Sequence, residues 1–233
     1  MRKIYLFITL LFIATININA QILRAEELEE YAKEKYGEKW NEAAANLAKE
    51  LALDKNKALT YVQVIEAPEK SKEDLYLILN YWYTNTFKSG KAVIELNDKE
   101  SGVIIAKGHI ENIASHTGGM NSYMVHLTPV IKTDIKDGKI RVTYTVPYYT
   151  IEKIVGGGIL SGVSEGLSGV KTVKKVNYEN WVLDKCYPFA EKDKHKKTSS
   201  KSLIMAHAYS NVLIDKIEEA IKNGVIGNEN EDW

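Results

Sequence analysis

Ile131-Lys132-Thr133-Asp134-Ile135-Lys136-Asp137-Gly138-Lys139-Ile140-Arg141-Val142-Thr143-Tyr144-Thr145-Val146 is the stretch from which the fold is read. Apolar and polar residues alternate on both sides of Asp137-Gly138, the two-residue period of a half-buried strand. Asp-Gly between two such runs is a strong short-range hairpin signal and predicts a type I′ turn. A two-residue loop sets Ile135 opposite Ile140, Asp134 opposite Arg141, Thr133 opposite Val142 and Ile131 opposite Tyr144. Acid then meets base on one face and the bulky residues meet on the other, so pattern and register agree.

Working outward, the same parity runs back through Val125 and Leu127, which extends the first arm of the hairpin into a longer strand. Ile104, Ala106, Gly108 and Ile110 alternate with Lys107, His109 and Glu111, and Ala92, Ile94 and Leu96 alternate with Val93, Glu95 and Asn97. Leu59–Glu66 is rich in β-branched residues and ends at Pro68, which predicts a further strand. Between Leu59–Glu66 and the other four, Ser71-Lys72-Glu73-Asp74 has the form of a capping box, opening a helix that Ser89-Gly90 stops. Its expected buried stripe is Leu75, Ile78, Leu79, Trp82 and Thr86. Residues 198–223 predict a second helix, capped by Ser199 or Ser200 and stopped at Gly224. Leu203, Ala206, His207, Ser210, Leu213, Ile214, Ile217 and Ile221 mark its buried side.

The expected fold is therefore α+β: a curved antiparallel five-stranded sheet in the order β-α-β-β-β-β-α, with helices on one face. Residues 57–150 form its core and 198–224 its last helix. An N-terminal helical arm, residues 21–56, precedes it, with Gly37 breaking or bending the arm and a stripe from Leu28 through Trp40 to Leu51. That stripe packs on the domain surface, crosses the polar sheet face, or meets a partner. Residues 151–197 are a glycine-rich and aromatic insertion, expected at 156–170 to be a mobile loop or flap. Residues 225–233 form an acidic tail.

Composition bounds the chemistry. Arg2 and Lys3 precede an almost unbroken apolar run from Ile4 to Ile16, and small Ala20 precedes Gln21. These are the parts of a cleavable signal sequence over residues 1–20, and the apolar run is shorter than the roughly 20 residues a membrane span needs. The expected protein is exported, periplasmic or secreted after cleavage near Ala20, with no transmembrane segment in the mature chain. Basic and acidic residues number 31 each, and removal of residues 1–20 takes away two cations and no acid. Such a chain has no general attraction for nucleic acid. The single cysteine, Cys186, excludes an internal disulfide, so stability must come from packing.

Three segments also carry a family resemblance: Val64-Ile65-Glu66-Ala67-Pro68 leading into Ser71-Lys72-Glu73-Asp74-Leu75-Tyr76, Trp82 late in the helix, and Asp98-Lys99-Glu100-Ser101-Gly102 before Ile104-Ile105-Ala106-Lys107-Gly108. In these the sequence resembles a family of exported bacterial domains of unknown function with a TBP-like fold, the 4468 type. The resemblance covers about residues 59–148. It implies a curved antiparallel sheet with helices on one face and brings no established catalytic residues. A fold shared with a DNA-binding protein does not imply DNA binding.

No catalytic residues, metal ligands or cofactor are assigned. None of the five histidines lies in a short metal signature, and no phosphate-binding glycine loop occurs. Gly162-Val163-Ser164-Glu165-Gly166 satisfies the letters of a nucleophile elbow, but no buried strand precedes Ser164. Cys186 next to Lys185 is the other candidate nucleophile, and it needs a histidine beside it in space. Lys107, His109, Glu111, His126, Arg141 and Thr143, with Thr145, share the polar parity of the sheet, and a tight turn at 117–120 would set Glu111 opposite His126. They form the candidate binding face. Tyr144, Tyr148, Tyr149, Tyr178, Trp181, Tyr187 and Phe189 crowd the end of the sheet, and some of these can line a groove. The sequence thus points to a non-enzymatic binding module for an unknown protein, peptide or glycan of the cell envelope. The alternative is an envelope hydrolase with Ser164 or Cys186 as nucleophile.

Overall fold

The computed structural model describes residues 25–86, 93–169, 174–190 and 193–224. The expected signal sequence and the acidic tail lie outside these residues. Two helices open the described chain, α1 (Ala25–Tyr36) and α2 (Trp40–Leu47), separated at Gly37. Then come β1 (Leu59–Glu66), α3 (Lys72–Thr86), β2 (Val93–Asp98), β3 (Val103–Lys107), β4 (Ile110–Thr117) and β5 (Asn121–Leu127). They are followed by β6 (Val130–Lys136), β7 (Lys139–Val146), β8 (Tyr148–Val155), α4 (Ile159–Ser168), β9 (Lys175–Val182), α5 (Leu183–Cys186) and α6 (Asp193–Asn223).

The fold is α+β and antiparallel throughout, but its strands divide between two sheets. One has five strands in the order β1-β7-β6-β3-β2, and the other four in the order β4-β5-β8-β9. This corrects the single five-stranded sheet. Two runs expected as continuous strands break at a residue that cannot sustain a flat ladder, Gly108 between β3 and β4 and Pro129 between β5 and β6, and beyond Pro147, where the expected strand through Val146 ends, an unexpected strand β8 follows. Proline donates no ladder hydrogen bond, and glycine tolerates a sharp bend. The Gly108 N–H donates to the Pro129 carbonyl at 3.0 Å, so two of the bends are tied together. Each run thus leaves one sheet and enters the other.

The hairpin register is as the alternation predicts, from Lys136 opposite Lys139 to Ile131 opposite Tyr144. The turn is not type I′. Gly138 has φ +71°, but Asp137 is not among the residues with positive φ, and type I′ needs both. Tertiary contacts set this geometry. The Asp137 carboxylate accepts the Lys72 N–H at 2.9 Å, and Gly138 bonds the carbonyl of Lys70 and the N–H of Ala67. The turn is therefore fastened to the start of α3, where the capping box closes as expected: Ser71 Oγ accepts the Asp74 N–H, and the Asp74 carboxylate accepts the Ser71 N–H and O–H.

α3 buries Leu75, Ile78, Leu79 and Tyr83 rather than Trp82, which is only half-buried. Tyr83 wins the core position because its hydroxyl reaches Thr133 Oγ1 at 2.6 Å, at a site where both residues are inaccessible. α6 begins at Asp193, ahead of the expected serine cap, and Ser199 instead bonds back to the His195 and Lys196 carbonyls from within the helix. From Thr198 to Leu213 nearly every side chain of α6 is buried. A helix buried on all sides lies between layers: α6 packs against β1, β4, β7 and α3, and also against α1 and α2. The arm is thereby placed. It covers α6 through Leu28, Ala32, Trp40 and Ala44, with Lys201 paired to Glu29 at 2.5 Å, and does not cross the polar sheet face.

The segment expected as a loop at 156–170 contains α4, whose start is fastened to the β4–β5 turn. Ile159 and Leu160 donate to the carbonyls of Gly118 and Gly119, and Gly156 and Gly158 to that of Met120. Gly158 is required there, because a Cβ would lie 2.4 Å from the Gly119 oxygen. Among the described residues, no helix is long and apolar enough to cross a membrane.

Candidate functional site

The six expected binding residues do not share one face. Lys107, Arg141 and Thr143 lie on the outer side of the five-stranded sheet, with Thr145, and Val62 and Val64 beside them are 59% and 46% exposed. That face is open, but its charges are answered within it. Lys107 pairs with Glu95 at 2.6 Å. Asp134 accepts Arg141 through Nε at 3.2 Å and Nη2 at 2.9 Å, and Lys132 at 2.7 Å. Partial burial opposes ionisation of Asp134, yet the two cations outweigh it and hold the carboxyl below its ordinary range.

His109, Glu111 and His126 belong to the bend and the four-stranded sheet. A register shift between Ile110 and Ala114 removes the expected pairing of Glu111 with His126. His126 is buried, not exposed, because Asn112 adopts φ +53° and turns its N–H onto His126 Nδ1 at 3.3 Å. Its Nε2 lies 3.4 Å from Glu152 Oε2, but out of line for a hydrogen bond, so the contact is one of proximity alone. The His109 ring stacks on it at 5.8 Å, with Glu111 3.7 Å from His109 Nε2 and Thr128 Oγ1 3.3 Å from Nδ1. Two rings already in contact with carboxylates and a backbone amide are a packed polar cluster rather than a receptive surface.

A groove forms instead on the inner side of the four-stranded sheet, beyond the end of its core. It encloses about 620 Å³ between β5, β8, β9 and the start of α6. Its floor is an aromatic box. Tyr123 on β5 lies 5.4 Å from Trp181 on β9 and 5.3 Å from both His116 on β4 and His195 on α6, measured between ring centres. Trp181 and His195 are 5.5 Å apart. Strand parity places the first three side chains together: His116 is opposite Tyr123, and Trp181 is on the same side of the sheet. The early start of α6 supplies the fourth. Tyr123 Oη is 2.7 Å from His195 Nδ1, which fixes the phenol against the imidazole, and burial raises the phenol pKa. Lys153, Glu179 and Lys185 at the rim bring charges of both signs, and Glu179 Oε1 accepts the Trp181 indole N–H at 3.4 Å.

Of the aromatic residues singled out in the sequence, Trp181 reaches this groove. Tyr144 and Tyr149 are fully buried, and Tyr187 bonds the Leu51 carbonyl at 2.6 Å. Sequence reasoning missed Tyr123, His116 and His195, which are separated by up to 79 residues and carry no local motif.

Neither candidate nucleophile has the expected surroundings. Ser164 sits inside α4 on an exposed face, not at a strand-to-helix elbow, and its carbonyl accepts Ser168 Oγ. Cys186 lines the back of the groove, but burial, aided by Asp184, pushes its thiol up to about 12. That direction suppresses the thiolate a nucleophile needs. Among the described residues, no group of three or more His, Cys, Asp or Glu side chains is placed to hold a metal ion.

Residues 61–150 match the family described as a domain of unknown function (DUF4468) with TBP-like fold. Among solved structures, the chain is similar to a TBP-like protein from Parabacteroides distasonis (TM-score 0.50, 11% identity, 73% of this chain and 97% of that one). It is also similar to a DUF4468 family protein from Bacteroides ovatus (TM-score 0.43, 12% identity, 78% and 94%). The first of these likenesses carries the fold and nothing about activity. No protein of curated function matches the sequence.

Proposed function

We propose that this chain, whose residues 61–150 form a TBP-like domain of unknown function, is an exported non-enzymatic binding module that takes a ligand of the cell envelope into the groove walled by Tyr123, Trp181, His116 and His195. The observation that carries the reading is the box itself: four rings, of which Tyr123 and His195 each lie within 6.3 Å of the other three, at the floor of a cavity whose size suits a small-molecule or short-peptide ligand. Rings of this kind supply large apolar area with polar edges, and the mixed charges at the rim suit a ligand of no net charge better than a polyanion. Export rests on the basic start, apolar run and Ala20 of residues 1–20. The open outer face, with Lys107, Arg141 and Thr143, is a second and shallower place for a partner.

Titration with soluble peptidoglycan fragments and with short synthetic peptides, followed by isothermal titration calorimetry, tests the reading. Trp181→Ala is expected to abolish the response of any probe that binds, and Arg141→Ala to leave it. A probe whose affinity is unchanged in Trp181→Ala but lost in Arg141→Ala would move the site to the outer face. N-terminal mass analysis of the protein recovered from cells tests export, and retention of residues 1–20 would refute it.

A further inference from the structure

α4 is amphipathic with its sides reversed. Ile159, Val163 and Leu167 recur every four residues and Leu160 lies beside them, which puts all four on one face of a 3.6-residue helix. That face points to solvent: the four side chains are 61%, 53%, 85% and 62% exposed, and Met120 on the turn that holds the helix is 70% exposed. The half-buried positions of the helix are Ser161 and Glu165. A free surface helix has the opposite arrangement. Gly162 and Gly166 flank the apolar row. Neither has positive φ, and a Cβ at either would meet nothing within 4 Å, so the chain's own packing gives no reason for a residue that weakens a helix. Gly158, by contrast, is required inside the fold.

We infer that α4 is the contact through which two copies of this chain associate. The five exposed apolar side chains present roughly 650 Å², at the upper end of what a monomer leaves uncovered. Two such patches face to face would bury about 1,300 Å², which reaches the range of stable protein interfaces. The face is also self-complementary. Projecting Val163 and Leu167 stand one position from bare Gly162 and Gly166, so a two-fold axis sets the knobs of one helix against the exposed backbone of the other. The one charge on the helix, Glu165, lies off this face and opposes nothing across the axis. A lipid surface would make no use of bare backbone, and α4 offers anionic headgroups no cation. The four backbone hydrogen bonds to residues 118–120 hold the helix in place before it meets a partner.

Sedimentation equilibrium of the full-length protein, in the form its own processing leaves, tests this. A dimer is expected, with Leu167→Glu and Val163→Glu each weakening association at least tenfold. Gly162→Leu should also weaken it, while Leu77→Glu, at an exposed leucine of α3, should not. Circular dichroism identical to wild type shows that the variants fold. A monomer at about 100 μM, a concentration at which even weak specific contacts associate, overturns the inference. So does a dimer indifferent to Leu167→Glu, or a monomer whose binding to phosphatidylethanolamine–phosphatidylglycerol vesicles depends on Leu167.

Discussion

The bond between Tyr83 and Thr133 decides which side of α3 faces the sheet, and a double-mutant cycle measures it. Both side chains are inaccessible, their oxygens are 2.6 Å apart, and burial raises the phenol pKa, so the bond joins two neutral hydroxyls away from water. Tyr83→Phe removes one partner and strands the Thr133 hydroxyl, a loss of about 1–3 kcal/mol. Thr133→Val deprives the phenol of the same bond and belongs in the same range. The double variant strands neither hydroxyl of this pair and preserves shape, so it should cost less than the two singles added, by about 1 kcal/mol. Urea unfolding followed by tryptophan fluorescence reads this. With m near 1–3 kcal/mol/M, each single should lower the midpoint by roughly 0.5–1.5 M without changing the slope. Additivity within about 0.5 kcal/mol would mean that the hydroxyls do not meet and that α3 is rotated. Trp82→Ala sharpens the test. As a half-buried residue Trp82 should cost less to truncate than Tyr83, and the reverse order would restore the helix face the sequence suggested.

Two further outcomes follow from titrating groups. Cys186, with its thiol pushed up to about 12 by burial, should resist a thiol reagent at pH 8 in the native protein and react at once in denaturant; fast native modification would contradict its burial. His207 lies between the rings of Tyr36 and Tyr61, at 5.4 and 5.2 Å, with Nδ1 buried and unbonded, and burial together with nearby Lys35 lowers its pKa to about 4. The unfolded chain therefore takes up a proton below pH 6.5 that the folded chain refuses, and stability should fall from pH 6.5 towards 4, by about 1–2 kcal/mol for a ring that keeps some solvent contact. His207→Gln should flatten the denaturation profile between pH 6.5 and 5, before carboxylates begin to titrate; an unchanged slope would refute the assignment.

What could be read in the sequence was whatever depended on neighbours along the chain. The capping box at Ser71 and Asp74, the span of β1 and the pairing of Ile135 with Ile140 all depend on residues a few positions apart. The division into two sheets was written at Gly108, Pro129 and Pro147, yet alternation runs unbroken through the first two, because parity is kept across those bends: Leu127 and Ile131 are both buried although they lie in different sheets. A period of two tests which way a side chain points and is blind to whether the strand has turned. The same blindness grouped His126 with Arg141. Both have polar parity, but one is buried behind Asn112 and the other lies on an open face.

The groove was illegible for a different reason. Trp181 could be singled out as a large aromatic residue beyond the sheet, but its companions are a tyrosine from β5 and histidines from β4 and α6, assembled by sheet order and by a helix that starts six residues before its serine-rich stretch. No spacing rule connects His116 to His195, because the fold and not the chain sets their 6.3 Å separation. The reversed helix makes the converse case. The sequence of α4 does contain its signal, glycines and large apolar residues four apart, but periodicity shows only that a helix has an apolar side and cannot say what covers it. Only the backbone bonds from Ile159 and Leu160 to the 118–119 turn, which face Ser161 inward and Leu167 outward, turn that pattern into an argument for a partner.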